Sequence, residues 1–331
     1  MDYSIFTVIG SIVLAVLVGL VVIGGLKRIA QFTSIVVPFM AQAYICVALI
    51  IVGVNWQQIP DVFHLIFTSA FGTDPILGGL LGSAISWGVK RGIYSNEAGQ
   101  GTGPHGSSAA AVSHPAKQGL VQAFSVYIDT LFVCSATGFM ILMTGTYNIV
   151  GADGTMIYEG LKGVEAGPVY TQAAIDQLMP GWGGPFIAVT IFFFAFTTIL
   201  GYYYMAETNC AYLNRYIRRP FIMTVLKVIF LGTVAFGTLK ASTLIWTMAD
   251  IGVGTMAWLN LAILLLQGPA FKALRDYERQ RSLGLNPVFH PEPLGIRDAD
   301  YWVGERAEKN LVVESEAGVD NLEGLKNTNG N

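Results

Sequence analysis

The sequence predicts an all-α polytopic membrane protein with about seven transmembrane helices, one of them broken. Of the 331 residues, 53% are hydrophobic and only 12% are charged, which is far too apolar for a soluble domain of average composition. The apolar residues also form runs of roughly 20 residues, the length that crosses a bilayer as a helix. Nearly half of the charged residues follow residue 271. We therefore predict a transmembrane domain over residues 1–271 and an aqueous tail over residues 272–331.

The first two crossings are predicted from uninterrupted apolar segments. Residues 3–26 carry no charge and end at the basic pair Lys27 and Arg28, as expected for one crossing. A second apolar span covers residues 34–54. Residues 59–72 are amphipathic and too short to cross, so we expect them to lie at the membrane interface.

The third crossing, residues 76–112, is predicted to be broken at its centre. Its apolar half ends at Trp87 and is followed by charged and polar side chains. Several glycines and Pro104 come next, and a continuous helix there costs about 1 kcal/mol per Gly and about 3 kcal/mol for Pro. Backbone freed from a helix in lipid must be buried in protein or line a wet cavity, and secondary transporters use such discontinuous helices to bind substrate and ions. A kinked structural helix is the alternative. We expect residues 104–111 to begin the second half-helix.

The remaining crossings lie on either side of a polar loop at residues 146–183. They are predicted at residues 119–145, 185–213, 221–239 and 242–268. Together with the segments above, they make seven crossings.

Three acidic residues fall at membrane depth: Glu97, Asp129 and Asp250. Such groups are costly in lipid unless they are paired or hydrated. They are either structural partners of the basic side chains Lys90, Arg91 and Lys227 or parts of a gate or proton path.

The distribution of basic residues predicts the orientation, because short cytoplasmic loops are enriched in Lys and Arg. Placing the loop at residues 27–33 inside also puts Lys117, the basic residues 215–219 and the start of the tail inside. This arrangement predicts an external Met1 and a cytoplasmic C-terminus.

Several function classes find no support in the sequence. The net charge of −3 gives no argument for nucleic-acid binding. The chain contains no G-x-S-x-G or H-E-x-x-H motif, so we do not expect an enzyme. The three cysteines lie in apolar segments without metal-ligand spacing, and we expect no cofactor.

Two adjacent hydroxyl residues, Thr197 and Thr198, stand near the middle of an apolar span. Threonines in membrane helices usually bond back to their own backbone or to a neighbouring helix. The alternative is a sodium site, because hard cations prefer hydroxyl and carbonyl oxygens and the carbonyl of Phe194 lies on the same helix.

Four stretches of the sequence resemble a known family, and together they span nearly the whole chain. They are GVKRGIYSNEAGQGT (88–102), YIDT with Cys134 and Thr137 (127–137), FAFTTILGYYYMAE (194–207) and NPVFHPEPLGIRDADYW (286–302). These stretches resemble the alanine or glycine:cation symporters, also called sodium:alanine symporters.

The resemblance implies a partial leucine-transporter-type inverted-repeat fold that couples sodium movement to the uptake of small neutral amino acids. The first two crossings look like the fourth and fifth core helices, and the broken element looks like the sixth. Residues 185–213 look like the eighth core helix, which shares a sodium site with the first. Family members begin upstream of Met1 with an unwound first core helix. We therefore expect the chain by itself to insert in the membrane without transporting or binding alanine.

The implied partners are a small neutral amino acid (alanine or glycine), the sodium ion as coupling ion, and the lipid bilayer of the cell membrane. A truncated, non-transporting membrane fragment or a channel-like bundle is the alternative. The predicted substrate residues are Ser95, Asn96, Gly99, Gly101, Thr102 and Trp246. The predicted sodium ligands are Phe194, Thr197 and Thr198.

Overall fold

The protein is mostly helical in the computed structural model, which describes residues 5–71, 77–108, 110–151, 154–240 and 242–304. The helices of the first half are α1 (Ile5–Val22), α2 (Gly25–Val54), α3 (Ile59–Phe71), α4 (Leu77–Asn96), α5 (Gly103–Ser107), α6 (Pro115–Tyr127) and α7 (Ser135–Thr144). A π-helix, Ile128–Cys134, joins α6 to α7. The helices of the second half are α8 (Pro168–Leu178), α9 (Gly183–Ile217), α10 (Ile222–Leu239), α11 (Ser242–Leu264) and α12 (Gly268–Ser282).

Five helical segments within the described ranges are long and apolar enough to cross a membrane. They are Lys27–Val54, Pro115–Thr144, Gly183–Ile217, Ile222–Leu239 and Leu244–Leu264. The apolar part of α1, Thr7–Val22, is shorter. This set fits a multi-pass membrane protein, whereas the predicted total of seven crossings stays a prediction. Met1 and the part of the tail after residue 304 lie outside the described residues.

Two predicted loops are more regular than expected. Helix α2 begins at Gly25, where φ is +77°, so the expected loop at residues 27–33 is helical and the turn is confined to Ile23 and Gly24. The predicted polar loop at 146–183 contains α8 and an antiparallel hairpin of β1 (Asn148–Val150) and β2 (Met156–Glu159). Backbone polar groups need partners, and a hairpin and a short helix provide them locally.

The described chain forms two compact units. The first contains the described residues up to Asn96 and the segment Tyr127–Met248. The second contains Glu97–Val126 and the described residues from Ala249 onward. The predicted division after residue 271, between a transmembrane domain and an aqueous tail, stays a prediction.

The first unit is held together by two apolar clusters along α9. One joins α9 to α2, α7 and α8, with Ala48, Met140 and Ile175 fully buried. The other joins α9 to α1 and α2, with Val18, Val22 and Leu200 fully buried. Between membrane helices such contacts stabilise through close packing. Because α9 takes part in both clusters, it is the central helix of this unit.

In the second unit, residues 285–302 fold back onto α12 and the start of α6; we call this segment the tail strap. The Phe289 N–H donates to the Ser113 carbonyl at 2.9 Å, and the Ser113 hydroxyl donates to the Pro287 carbonyl at 2.7 Å. The Gln280 side chain exchanges two hydrogen bonds of 2.9 Å with the Val288 backbone. These bonds give the strap one defined register.

A histidine is completely buried beneath the tail strap. The His114 ring lies 5.2 Å from the ring of Tyr277 and 5.2 Å from that of Phe289, measured between centroids. Its Nδ1 accepts the Ala116 N–H at 3.1 Å, and its Nε2 lies 3.7 Å from Asp276 Oδ2. Burial lowers the pKa of His114 to about 4, against the opposing effect of the Asp276 carboxylate.

Candidate functional site

The predicted break in the third crossing is present and covers residues 97–102. Helix α4 ends at Asn96 because Glu97 adopts a left-handed conformation with φ +55°. Gly99 and Gly101 follow with φ +96° and +81°, values that glycine adopts without steric cost. The Thr102 hydroxyl then donates to Glu97 Oε2 at 2.7 Å. The Glu97 carboxylate therefore closes the loop through a hydrogen bond, rather than through one of the basic partners considered from the sequence.

The second half-helix is shorter than expected. Helix α5 has five residues, Gly103–Ser107, with Pro104 in its first turn. The predicted extent, 104–111, includes residue 109, which lies outside the described residues, and residues 110–112 are not helical. The second half-helix therefore ends earlier than the sequence predicted.

Asn260 of α11 fixes the loop within the second unit. Its Nδ2 donates to the Gly99 carbonyl at 3.1 Å. A Cβ atom on Gly101 would lie 2.8 Å from Asn260 Oδ1. Only glycine fits this close approach at this φ. Asn260 therefore holds the loop from α11, a contact that the sequence did not indicate.

In the first unit, the polar end of α4 contacts the π-helix. The Ser95 hydroxyl donates to the Asp129 carboxylate, and Asn96 Nδ2 donates to Thr130 Oγ1 at 2.6 Å. Ser95 Oγ also lies 3.3 Å from the sulfur of Cys134. Asp129 therefore has a hydroxyl partner here, and within the described residues it forms no ion pair with a Lys or Arg side chain.

The π-helix accounts for the position of these partners. Each π turn adds one residue to the helical repeat, and such bulges occur frequently at functional sites. The Thr130 carbonyl accepts from the Ser135 backbone N–H, as a π turn requires, and also from the Ser135 hydroxyl at 2.8 Å. No sequence pattern indicates this irregularity, because residues 119–145 are predicted as one continuous helix.

Aromatic rings of α4 and α11 surround Arg91. Its guanidinium carbon lies 4.6 Å from the centroid of Trp246, 5.1 Å from that of Trp87 and 5.5 Å from that of Tyr94. Tyr94 and Trp246 also contact each other edge to face at 5.7 Å. Trp246 thus lies beside α4 as a neighbour of Arg91. From the sequence, Arg91 was considered only as a possible salt-bridge partner.

The predicted sodium ligands differ in their surroundings. Thr197 is buried, and its hydroxyl donates to the Phe193 carbonyl at 2.8 Å and lies 3.2 Å from the Phe194 carbonyl. Thr198 is exposed on another side of α9. Thr197 therefore follows the back-bonding pattern of membrane threonines, while its oxygen and that of Phe194 remain close enough to contact one cation.

The predicted substrate residues fall into both units. Ser95, Asn96 and Trp246 belong to the first unit, and Gly99, Gly101 and Thr102 belong to the second. Within the first unit, Asp129 contacts Ser95, Thr130 contacts Asn96, and Arg91 lies against Trp246. The spacing of Arg91 and Ser95, four residues apart on one helix, could have indicated that they share a face.

Comparison with known proteins identifies similar chains along nearly the whole sequence. The sequence profile of the sodium:alanine symporter family matches residues 1–291. A putative sodium/proton-dependent alanine carrier protein of Bacillus subtilis (strain 168) is 59% identical over 304 residues. The match covers 92% of this chain and 62% of that relative.

Two further relatives extend the comparison. A sodium/proton-dependent alanine carrier protein of Bacillus sp. (strain PS3) is 56% identical, with 89% of this chain and 66% of the relative covered. A probable sodium/glutamine symporter of Bacillus subtilis (strain 168) is 39% identical, with 86% and 56% covered. The chain therefore spans between 56% and 66% of the length of these relatives.

Proposed function

The chain belongs to the sodium:alanine symporter family, and we propose that it carries out, or forms part of, the sodium-coupled symport of alanine and glycine across the cell membrane. The observation that carries this proposal is the break at residues 97–102. It leaves backbone groups outside the helical hydrogen-bond pattern within a segment predicted to cross the membrane. In lipid, such groups persist where they line a cavity or contact a ligand, and broken helices bind substrate in secondary transporters.

Alanine is the substrate best supported by the relatives. The two at 59% and 56% identity are named as alanine carriers, whereas the one named for glutamine is 39% identical. The close approach of Asn260 to Gly101 also supports a small substrate, because it leaves little space beside the glycine loop.

For the coupling ion we propose sodium, bound by oxygens of α9. Thr197 Oγ1 and the Phe194 carbonyl provide two neighbouring oxygens, the type of ligand that hard cations prefer. Thr198 remains part of the proposed site, although it lies on a more exposed side of the helix.

The proposed architecture is the partial leucine-transporter-type fold with seven crossings. The distribution of Lys and Arg supports a cytoplasmic C-terminus. The segment 1–271 would then form the transmembrane domain, and the tail after it would lie in the cytoplasm.

The test is alanine uptake into cells that lack their own alanine transporters. Three strains are compared: one expressing this chain, one expressing the part of the Bacillus sp. (strain PS3) carrier outside the match, and one expressing both. We expect alanine uptake driven by an inward sodium gradient in at least one strain that contains this chain, and none with the relative's segment alone.

Two outcomes would contradict the proposal. Absence of sodium-driven uptake from both strains that contain the chain would favour the non-transporting membrane fragment. Alanine flux that is independent of the sodium gradient would favour the channel-like bundle. Uptake only in the strain expressing both would agree with the expectation that the chain does not transport by itself.

A further inference from the structure

The tail strap, the start of α6 and the first half of α12 enclose a cavity of about 670 Å³ in the second unit. We propose that this cavity binds one zwitterionic phospholipid of the phosphatidylethanolamine type, with an acyl chain inside the cavity and the headgroup at its mouth. The lining residues lie outside the candidate functional site. The inference therefore goes beyond the proposed function and does not depend on it.

The cavity lies where two predicted crossings reach the membrane surface. One wall is formed by the first two turns of α6, at the start of the apolar segment Pro115–Thr144. Another wall is formed by the first half of α12, which follows the apolar segment Leu244–Leu264 after a short turn. Leu120 and Leu274, one from each wall, are exposed. The cavity is therefore open to acyl chains at the edge of the bilayer.

Small side chains on both helices leave the space that the cavity occupies. They are Ala116 and Gly119 on α6 and Ala270 and Ala273 on α12. The remaining wall belongs to the tail strap and includes the ring of Trp302. A mostly apolar cavity of this size is typical of ligand sites, which measure about 300–1,000 Å³. Its lining favours a hydrocarbon chain, because transfer of apolar surface out of water is favourable.

Contacts within the chain fix the wall that the tail strap forms. The Trp302 ring contacts the Phe289 ring edge to face, with 5.4 Å between centroids. Lys272 Nζ donates to the Leu294 carbonyl at 3.1 Å, two residues before the lining residue Ile296. The cavity is thus preformed, so a lipid chain can enter without the cost of ordering this wall.

Charged side chains of both signs stand at the mouth of the cavity. Arg297, Asp298 and Asp300 line the cavity and are exposed. Within the described residues, none of the three forms an ion pair. Three chain steps separate Arg297 from Asp300, so their Cα atoms are at most about 11 Å apart. One cation and two anions are therefore within reach of a single lipid headgroup.

This set of charges complements a phosphate and an ammonium group. An arginine guanidinium binds phosphate through two parallel hydrogen bonds, and a carboxylate accepts hydrogen bonds from a primary ammonium group. The phosphatidylethanolamine headgroup carries both groups. Phosphatidylglycerol carries the phosphate without the ammonium, and the two carboxylates would repel its net negative charge. We therefore expect the site to prefer the zwitterionic lipid.

The experiment titrates the purified chain in detergent with dioleoyl-phosphatidylethanolamine and, separately, with dioleoyl-phosphatidylglycerol. Native mass spectrometry counts the bound lipids and gives an apparent Kd for the tightest site. In a second measurement, phosphatidylethanolamine with a photoreactive diazirine in its acyl chain is crosslinked to the wild-type protein, and the adducts are located in proteolytic peptides. We expect adducts in residues 115–120, 269–274 or 296–302. In the wild type, the Kd of phosphatidylethanolamine should be about tenfold lower than that of phosphatidylglycerol.

Two variants test the cavity and the phosphate partner. Ala270→Trp fills the cavity from an exposed position and should raise the Kd of both lipids at least tenfold. Arg297→Gln should raise both Kd values about tenfold, because the loss of one charge-assisted hydrogen bond has roughly that effect. The matched control is Ala43→Trp, which fills an apolar groove between α2 and α9 in the first unit. It should leave both Kd values unchanged.

A third variant tests the ammonium partners. Asp298→Asn combined with Asp300→Asn removes both carboxylates and should bring the two Kd values together. Residue 298 has a φ of +58°, a conformation that asparagine tolerates, so this variant keeps the backbone of the mouth.

Four results would overturn the inference. They are equal Kd values for the two lipids in the wild type, unchanged Kd values in Ala270→Trp, a preference that persists without the two carboxylates, and adducts confined to other segments. If Ala270→Trp fails to fold, unchanged Kd values in Arg297→Gln, which alters only an exposed side chain, would overturn it as well.

Discussion

At the residue scale, two similar residues close together in sequence can differ in burial and in backbone conformation. Thr197 and Thr198 are adjacent in sequence, yet only Thr197 is buried. Gly101 and Gly103 are two residues apart, yet only Gly101 has a positive φ and a side chain pressed against it. These differences make paired substitutions informative.

The first prediction concerns sodium. Thr197→Val keeps the shape of the buried side chain and removes its hydroxyl oxygen, so the sodium concentration for half-maximal alanine uptake should rise severalfold. Thr198→Val tests the second proposed hydroxyl and should have a smaller effect, because that side chain is exposed. Thr190→Val is the control, since the Thr190 hydroxyl also bonds back to α9, at 2.7 Å from the Phe186 carbonyl. An unchanged sodium requirement in both proposed-site variants would remove these threonines from the site.

The second prediction concerns the glycine loop. Gly101→Ala introduces a Cβ atom at φ +81°, 2.8 Å from Asn260 Oδ1. A left-handed conformation alone costs about 1–2 kcal/mol for a residue with a side chain, so the Tm of the purified chain should fall. Gly103→Ala should leave Tm nearly unchanged, because the nearest atom to its Cβ would be 3.8 Å away. Equal Tm values for the two variants would show that the close approach to Asn260 is unimportant.

At the element scale, the tail strap is held by a buried neutral histidine. The groups around His114 are the Asp276 carboxylate, the Lys117 ammonium and the rings of Tyr277 and Phe289, the last from the tail strap. The carboxylate is already bonded to Arg279 and Gln280, at 2.7 Å each. Protonation of His114 would therefore place an additional charge in a buried position whose nearest anion already has partners.

The third prediction is that this unit loses stability in mild acid. The pKa of His114 is about 4 in the folded protein and about 6.5 when unfolded, so between these values the unfolded chain binds the extra proton. Stability present above pH 6.5 is lost as the pH falls toward 4, by on the order of 3 kcal/mol. The Tm of the purified chain should fall over this range. In His114→Phe that fall should be smaller.

The control for the third prediction is His290→Gln. His290 lies on the exposed part of the tail strap, so this variant should retain the wild-type pH dependence. A fall in Tm that is the same in His114→Phe as in the wild type would assign the acid sensitivity to other groups.

At the scale of the whole molecule, the number of crossings decides the topology. The sequence predicts seven, whereas five described segments meet the length and hydropathy of a crossing. The difference lies in α1 and the broken element. A topology with seven crossings and one with five are both compatible with a cytoplasmic tail. With seven crossings the turn between α2 and α3 lies outside the cell, and with five it lies inside.

The fourth prediction places this turn outside. Gln57 is exposed in the turn, and Gln57→Cys, made after replacement of the native cysteines, should react with a membrane-impermeant maleimide in intact cells. Ser282→Cys in the tail should react only after the membrane is opened. Labelling of Gln57→Cys only in opened cells would instead support five crossings.

The sequence by itself predicted the helical membrane class, the break after α4 and the family resemblance. These features are local: a run of apolar residues specifies a crossing, and glycine and proline disfavour a helix wherever it would lie. Three local predictions were wrong. They are the loop at residues 27–33, the extent of the second half-helix, and the absence of regular structure from the polar loop at 146–183. At those places helix continuation and hairpin pairing depend on backbone hydrogen bonds that composition does not reveal.

Tertiary structure alone decided which side chains meet. The contacts of Ser95 with Asp129, of Arg91 with Trp246 and of Asn260 with Gly99 join residues that are 34 to 161 positions apart. No local pattern specifies such pairs, because they depend on how helices pack and on the π-helix that reorients residues 128–134. The polar residues and glycines of the broken element were predictable from the sequence. Their partners were not, since helix packing and an irregular turn set the directions of the side chains.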